Sequence, residues 1–493
     1  MSFAFKTRIN GKCAMPRMKT PTTSQCPFHT RPDAARDEPR PSAPLPPTGA
    51  WPPGPPAGLT GWRLLRRMSR DLLGALAEWQ RSYGDLVHLR TFPEHVIVVA
   101  DPQLARELLV THHDALTRWE RGVSLFAQLH GHSVLTSEGD AWRARRQALQ
   151  PGFTPKAAQA FVPGVVHATA AALAQWPSHD SHWPIENGLT ALTMDVIMRM
   201  MFTEAIGEEA RVAEQALRVA SEAANAEFWW PASWPDWMPW KRAKRQAIRV
   251  LKDLIEQRLH TRLALADSVW PDDLLSRLLR LHREDAQVWP LQAVRDECMT
   301  TFLAGHETTA ATLTWWAWCM ASNPTAQAAA RTEVDAVLRG RAPGADVRTA
   351  LPWLTQTLEE TLRLYPAAPV LINRRALRTV DLGPWRFPPR TLFMLPVQLM
   401  QHDARWFPDP AVFKPERHAR DAAHAARGAW SPFGMGPRVC LGQHVAMTEM
   451  TVIAAMVLQR YTLSAPDGMA APRPMLNVTL RPHAPLHLAL DRV

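Results

Sequence analysis

Apolar positions recur at helical spacing through two long stretches, from Gly139 to Leu281 and again from Leu291 to Leu364. Short β-like runs lie outside them. Asp85-Leu-Val-His-Leu-Arg and His95-Val-Ile-Val-Val come early, and Asn477-Val-Thr-Leu and Pro485-Leu-His-Leu-Ala-Leu come late. A helix-rich middle with small sheets toward both ends predicts a mainly α fold with accessory β-sheets. The segment Leu291–Ser322 reads as one helix of about 30 residues, ended by Asn323-Pro324. A helix of that length can cross a whole domain.

Residues 1–58 break the pattern. They end in Pro-Leu-Pro-Pro-Thr-Gly-Ala-Trp-Pro-Pro-Gly-Pro-Pro-Ala-Gly, and prolines at this density prevent continuous helix and favour extended chain. The expectation is a disordered, proline-rich extension over 1–58 and a single catalytic domain over 59–493, with no later linker or repeat.

Composition changes this picture little. The formal net charge is +10, carried mostly by arginine, which fits either a compositional bias or a basic face for an acidic protein partner. No nucleic-acid partner is expected. The five cysteines, Cys13, Cys26, Cys298, Cys319 and Cys440, have no metal-finger spacing. Their odd number makes a poor disulfide framework, so a reduced, cytoplasmic setting is expected. No apolar run approaches the roughly 20 residues of a spanning helix. The N-terminus also lacks the apolar core and cleavage site of a signal peptide.

The strongest chemical signal is Phe433-Gly-Met-Gly-Pro-Arg-Val-Cys440-Leu-Gly442, followed by an apolar helical segment. A cysteine just before a helix feels unpaired backbone N–H groups, which favour the thiolate. Gly436 permits a tight bulge, and Gly442 allows a flat ligand to approach the helix backbone. Arg438 can neutralise a carboxylate on such a ligand, and Phe433 can pack beside the sulfur. Gly434-x-Gly436 also starts like a dinucleotide fingerprint, but no βαβ unit surrounds it and Val439 stands where the third glycine belongs.

Position for position, the segment resembles the haem-binding motif Phe-x-x-Gly-x-Arg-x-Cys-x-Gly of the cytochrome P450 family. The resemblance extends over roughly residues 50–493 through three further motifs in the family's order. Ala304-Gly-His-Glu307-Thr308-Thr309 lies in the middle of the long predicted helix. A threonine hydroxyl there can bond the carbonyl of Ala304 and loosen the helix ladder. Glycine at 305 would make that distortion cheaper. His306-Glu307 also begins like a zinc motif, but its second histidine is absent, since position 310 is alanine. Glu360-Thr-Leu-Arg363 puts acid and base on one helix face. Trp142-Arg-Ala-Arg-Arg146 puts an indole and a guanidinium on another.

The resemblance implies haem b bound through Cys440. It implies catalytic roles for Thr308 and Glu307, and a structural triad of Glu360, Arg363 and Arg417. It also implies cofactor contacts from Trp142, Arg146, Arg374, Phe433, Arg438 and Gly442; Arg375, next to Arg374, leaves that register open by one residue. Pocket residues would include Ala304, Ala368 and Val370.

The implied activity is a monooxygenase that activates O2 and inserts one atom into a lipophilic organic substrate. Only about fifty residues follow Cys440 in the 493-residue chain, so electrons are expected from a separate ferredoxin or flavodoxin with its reductase. Arg143, Arg145 and Arg427 are expected to form its basic docking face. Phe228-Trp-Trp-Pro-Ala-Ser-Trp-Pro-Asp-Trp-Met-Pro-Trp240 reads either as core packing or as an exposed loop, a lid or a peripheral membrane contact. A desaturase or oxidative coupling enzyme shares the same motifs, and a haem-based sensor or carrier is the reading from outside enzymes.

Overall fold

The computed structural model describes residues 51–203, 209–229, 234–235, 237–420, 422 and 426–493. Residues 1–50 of the expected extension, with Cys13 and Cys26, lie outside the described residues, as does part of the tryptophan-rich stretch.

Helices dominate. The main elements run α1 (Trp62–Arg70), α2 (Leu72–Tyr83), β1 (Leu86–Thr91), β2 (Glu94–Val99), β3 (Leu116–Arg118), α3 (Glu120–His130), α4 (Gly139–Leu149), α5 (Pro155–Leu173), β4 (His179–Trp183) and α6 (Ile185–Phe202). Next come α7 (Glu209–Glu227), α8 (Arg242–Leu263), α9 (Leu274–Glu284), α10 (Leu291–Ser322), α11 (Pro324–Leu338) and α12 (Pro352–Leu364). The chain ends with β5 (Arg374–Ala376), β6 (Leu392–Met394), α13 (Gln443–Leu458), β7 (Tyr461–Ser464), β8 (Pro474–Asn477), β9 (Thr479–Pro482) and β10 (Leu488–Arg492).

One sheet has the order β1-β2-β6-β5-β3; a second has β4-β10-β7, and β8-β9 is a hairpin. The late run Asn477-Val-Thr-Leu is therefore not one strand. Asn477 and Thr479 face each other across the hairpin, and Val478 makes the turn at φ 33°. No glycine marked that turn, so the run read as continuous.

The central helix α10 spans 32 residues, and most of its side chains are buried around the whole circumference, as suits a helix enclosed by others. Its C-terminal half supplies Trp315 and Trp316 to the core. The Trp315 ring stacks on Tyr365 at 4.0 Å, and its indole N–H donates to the Leu480 carbonyl at 2.9 Å.

Residues 51–58, read from sequence as the end of the extension, run along β1. The Pro53 carbonyl accepts a hydrogen bond from His88 N at 3.1 Å. Trp51 stacks on His88 and His95 at 4.7 and 4.4 Å. A Cβ at Gly54 would lie 1.9 Å from the His88 carbonyl oxygen. Extended proline-rich chain has no internal hydrogen bonds, so its carbonyls are free to meet a strand edge.

Candidate active site

The cysteine loop is shaped by two glycines in left-handed conformation, Gly434 at φ 75° and Gly436 at φ 72°. A Cβ at Gly436 would lie 2.2 Å from the Leu109 carbonyl oxygen, so no other residue fits there. The loop closes on itself where Cys440 N donates to the Phe433 carbonyl at 2.9 Å. Arg146, on α4, donates to the Val439 carbonyl at 2.8 Å.

Burial pushes the Cys440 thiol pKa up, while the backbone N–H groups of Gly442 and Gln443 and the charge of Arg146 act against that rise. Yet its side chain is exposed. Both hold if the sulfur lines a cavity inside the protein. Ala304 gives the same signal: it is exposed in the middle of α10, between the buried Leu303 and His306.

On the same helix, Thr308 Oγ1 donates to the Ala304 carbonyl at 2.6 Å. The helix nevertheless runs unbroken through the motif. Gly305 answers to packing rather than to distortion, because a Cβ there would lie 2.7 Å from Ile197 Cδ1 on α6. Glu307 reaches a polar group formed by α7 and β9. Ser221 Oγ and Thr479 Oγ1 lie 3.4 and 3.2 Å from its carboxylate, and Arg481 Nε lies 4.0 Å away. Arg481 in turn pairs with Glu186 at 3.0 Å. Burial raises the Glu307 pKa above the ordinary range, against the pull of Arg481 and the two hydroxyls. His306 is neutral: burial drives its pKa to about 3, and Nε2 meets the Thr190 carbonyl at 3.2 Å.

Three arginines gather beside the cysteine loop. Arg118 and Arg374 stand directly opposite each other across β3 and β5, a placement in which like charges repel. Arg438 sits 3.9 Å over the Trp142 ring and donates to the Ser137 carbonyl at 3.0 Å. Arg438 and Arg118 share one carboxylate, Glu138. One terminal nitrogen of Arg118 has no hydrogen-bond partner among the described residues. Burial and the Arg438 charge depress the pKa of both Arg118 and Arg374. The surplus of buried positive charge calls for anions.

A thiol both open to space and deep in the protein, with surplus guanidiniums near its loop, fits haem: sulfur for the iron, arginines for the two propionates. The two adjacent arginines face different surroundings. Arg375 turns away from the cluster and pairs with Glu94 and Glu120 at 2.6 and 2.9 Å, leaving Arg374 with Arg118. Arg118 was not singled out from sequence, because a three-residue strand carries no motif, and Glu138, just before α4, reveals its role only through Arg118 and Arg438.

The Glu360 carboxylate is buried and receives four groups. Arg363 donates at 2.8 and 2.9 Å, Arg417 at 3.3 Å and Lys414 N at 2.9 Å; His418 Nε2 lies at 3.0 Å. Burial alone would raise the Glu360 pKa, but the hydrogen bonds from His418 and Arg363 and their charges hold it below the ordinary range.

Ala368 and Val370 are half-buried, and Val370 and Phe433 both pack on the core. Arg145 does not join the expected basic face. It pairs with the buried Glu297 at 2.8 Å and lies over Trp289, because α10 offers it an uncompensated carboxylate. Arg143 is exposed and pairs with Asp140 on its own helix. At the described ends of the tryptophan-rich stretch, Phe228 packs on Trp119 and Phe126, whereas Trp234, Trp237 and Trp240 are exposed. Among the described residues, no helix is long and apolar enough to cross a membrane.

If Cys440 ligates the iron, the reduced protein under carbon monoxide shows the strongly red-shifted Soret band of thiolate ligation. Cys440→His should lose that band; an unchanged spectrum in the variant would exclude Cys440 as the ligand.

Comparison with known proteins agrees with this geometry. A family profile described as Cytochrome P450 matches residues 52–489. Cyclooctat-9-en-7-ol 5-monooxygenase of Streptomyces melanosporofaciens is 31% identical over 423 residues, covering 81% of this chain and 89% of the relative. Cyclooctatin synthase of the same organism is 31% identical, covering 86% and 92%. Cytochrome P450 734A4 of Oryza sativa subsp. japonica is 30% identical, covering 83% and 82%.

Proposed function

The chain belongs to the cytochrome P450 family, a haem b oxidoreductase that incorporates oxygen, and we propose that it inserts one oxygen atom into a lipophilic organic substrate by hydroxylation or epoxidation. The second oxygen atom leaves as water, using two electrons and two protons. The electrons would come from a separate ferredoxin or flavodoxin with its reductase. The bound haem supplies the activation of dioxygen.

The observation that carries this reading is the pair of exposed side chains, Cys440 in its glycine-shaped loop and Ala304 in the middle of α10, beside a surplus of buried guanidiniums. In this reading one wall of the haem cavity would present the Cys440 sulfur, and the opposite wall would present the Thr308 hydroxyl next to Glu307. Cys440 would be the iron ligand. Arg118, Arg374 and Arg438 would hold the propionates, with Trp142 under Arg438. Arg146 would fix the cysteine loop from behind, through the Val439 carbonyl. Gly442 would let the porphyrin plane approach the start of α13, and Phe433 would pack beside the sulfur.

Thr308 Oγ1 would hold a proton at the cavity face of α10, and Glu307 would replenish it from the Ser221, Thr479 and Arg481 group. Ala304, Ala368 and Val370 would contribute apolar lining that selects lipophilic molecules. The named activity of the Streptomyces relative, oxygenation of a cyclic alcohol, fits a lipophilic substrate class. A reducing setting in the cytoplasm is part of the same proposal, and the buried thiol of Cys298 supports it.

The test is turnover with a surrogate ferredoxin, its reductase and a nicotinamide donor, under isotope-labelled dioxygen, across a panel of cyclic hydrocarbons and their alcohols. Products carrying one labelled oxygen are expected. Dehydrogenated or coupled products without label would instead mark a desaturase or coupling enzyme, and absence of any substrate-dependent product would mark a carrier or sensor.

A further inference from the structure

Among the buried polar side chains with an unmet atom, His130 stands next to an aromatic cluster and close to the middle of α10. His130 closes α3, is 6% exposed, and its Nδ1 has no hydrogen-bond partner among the described residues. Its backbone is spoken for, since Thr300 Oγ1 reaches the His130 carbonyl at 3.3 Å and Ser133 Oγ at 2.7 Å. The ring is not. Burial holds its pKa near 4, so it is a neutral imidazole with one donor and one acceptor nitrogen.

Its surroundings are apolar and aromatic. Phe126 meets the His130 ring edge-on at 5.8 Å, Phe228 meets Phe126 at 6.3 Å, and Trp119 lies 6.0 Å from Phe228. A Cβ at Gly122 would touch both Phe228 and Ile372, so α3, the end of α7 and the segment after α12 converge here. Thr300, which holds the His130 carbonyl, stands one helical turn before the exposed Ala304. The backbone of His130 is therefore held about one turn of α10 from Ala304, whose side chain is exposed.

A histidine kept for packing alone would cost less as phenylalanine, because an unmet buried nitrogen carries a desolvation penalty. We propose that His130 is the hydrogen-bonding anchor for one oxygen function, a hydroxyl or a carbonyl, on the lipophilic substrate. The imidazole N–H would donate to a carbonyl, or its bare nitrogen would accept from a hydroxyl. The substrate would then be orientated by a single polar contact, with the rest of its surface held by the aromatic wall. The inference rests on the reading of this cavity as the substrate chamber.

The experiment titrates three probes of one shape, cyclododecane, cyclododecanol and cyclododecanone, into haem-loaded wild type, His130→Phe and His130→Gln by calorimetry. Wild type should bind the two oxygenated rings about tenfold more tightly than the hydrocarbon, the worth of roughly one hydrogen bond. In His130→Phe that ratio should fall to about one while cyclododecane keeps its affinity, and His130→Gln should retain part of the ratio. Three results would overturn the anchor: no preference in wild type, an undiminished preference in His130→Phe, or equal loss of all three probes in that variant. Oxygen incorporation into the probes, measured in parallel, separates the two readings. Labelled products without the affinity ratio remove only the anchor, and an intact ratio without labelled products removes only the monooxygenase.

Discussion

Glu360→Ala and Arg363→Ala should each leave little or no haem-loaded protein. Glu360 is buried among Arg363, Arg417 and His418, and Arg363 also donates to the carbonyls of Gln401, Pro410 and Val412 at 2.8, 2.9 and 3.2 Å. Removing the carboxylate strands two guanidiniums with no counter-charge; removing Arg363 also orphans three carbonyls. Breaking a buried pair in this way costs about 3–5 kcal/mol, a large share of the roughly 5–15 kcal/mol that holds a domain folded.

The damage would reach the haem site by a short path. His418 packs edge-on against Trp430 at 5.8 Å, and Trp430 against Phe433 at 6.4 Å. Trp430 also donates to the Glu359 carbonyl at 3.2 Å, and the Phe433 carbonyl holds Cys440 N. Glu360→Gln keeps the shape and part of the hydrogen bonding, so it should fall between wild type and Glu360→Ala. Haem content per polypeptide and the thermal midpoint measure the effect. Full haem loading and an unchanged midpoint in Glu360→Ala would show that the cluster carries no such weight. The sign with pH is fixed by the depressed Glu360 pKa. Its contribution is present above the ordinary carboxylate range and is lost as pH falls through the folded-state value.

What could be read from the chain in advance was whatever is local. The cysteine loop, the Ala304–Thr309 segment and the 32-residue central helix are each contiguous, and their chemistry follows from spacing within one turn or one loop. Glu360 and Arg363 are neighbours on one helix face for the same reason. What escaped was pairing across long sequence separations. Arg118 meets Arg374 only because β3 and β5 are neighbours in the sheet. Glu307 meets Thr479 only because the β8–β9 hairpin folds back on α10. Arg145 looked like surface charge because nothing near it in sequence reveals Glu297, which caps the backbone at Val134 at 2.9 Å and takes Arg145 as its counter-ion. The different surroundings of Arg374 and Arg375 also needed the sheet, since alternate residues of a strand face opposite sides and the sequence does not say which side holds Glu94.

Thr308→Ala should bind substrate and accept electrons as wild type does, yet send most of those electrons to hydrogen peroxide. In wild type, one dioxygen, two electrons and two protons yield an oxygenated product and one water. Without the second productive proton delivery, the same electrons and protons leave as hydrogen peroxide, and the substrate is released unchanged. Thr308 Oγ1 already donates to the Ala304 carbonyl at 2.6 Å, so the hydroxyl is held in one rotamer beside the exposed Ala304, with its lone pairs free to accept. Alanine removes that group and little volume. Loss of a positioned proton-transfer group typically costs about 10²–10⁴-fold in the step it serves, while substrate affinity should change far less.

Glu307→Gln should slow coupled turnover and enlarge the solvent isotope effect, because the amide keeps the contacts to Ser221 and Thr479 but cannot carry a proton. Burial raises the Glu307 pKa, so the acid stays protonated to higher pH than an exposed glutamate. Coupled turnover should therefore decline only above the ordinary glutamate range, and that limb should vanish in Glu307→Gln. The deciding measurement is product formed per electron pair consumed, with peroxide counted alongside. Wild-type coupling in Thr308→Ala would reduce the Ala304–Thr309 segment to helix packing, and the proton path would have to begin at another residue facing the cavity.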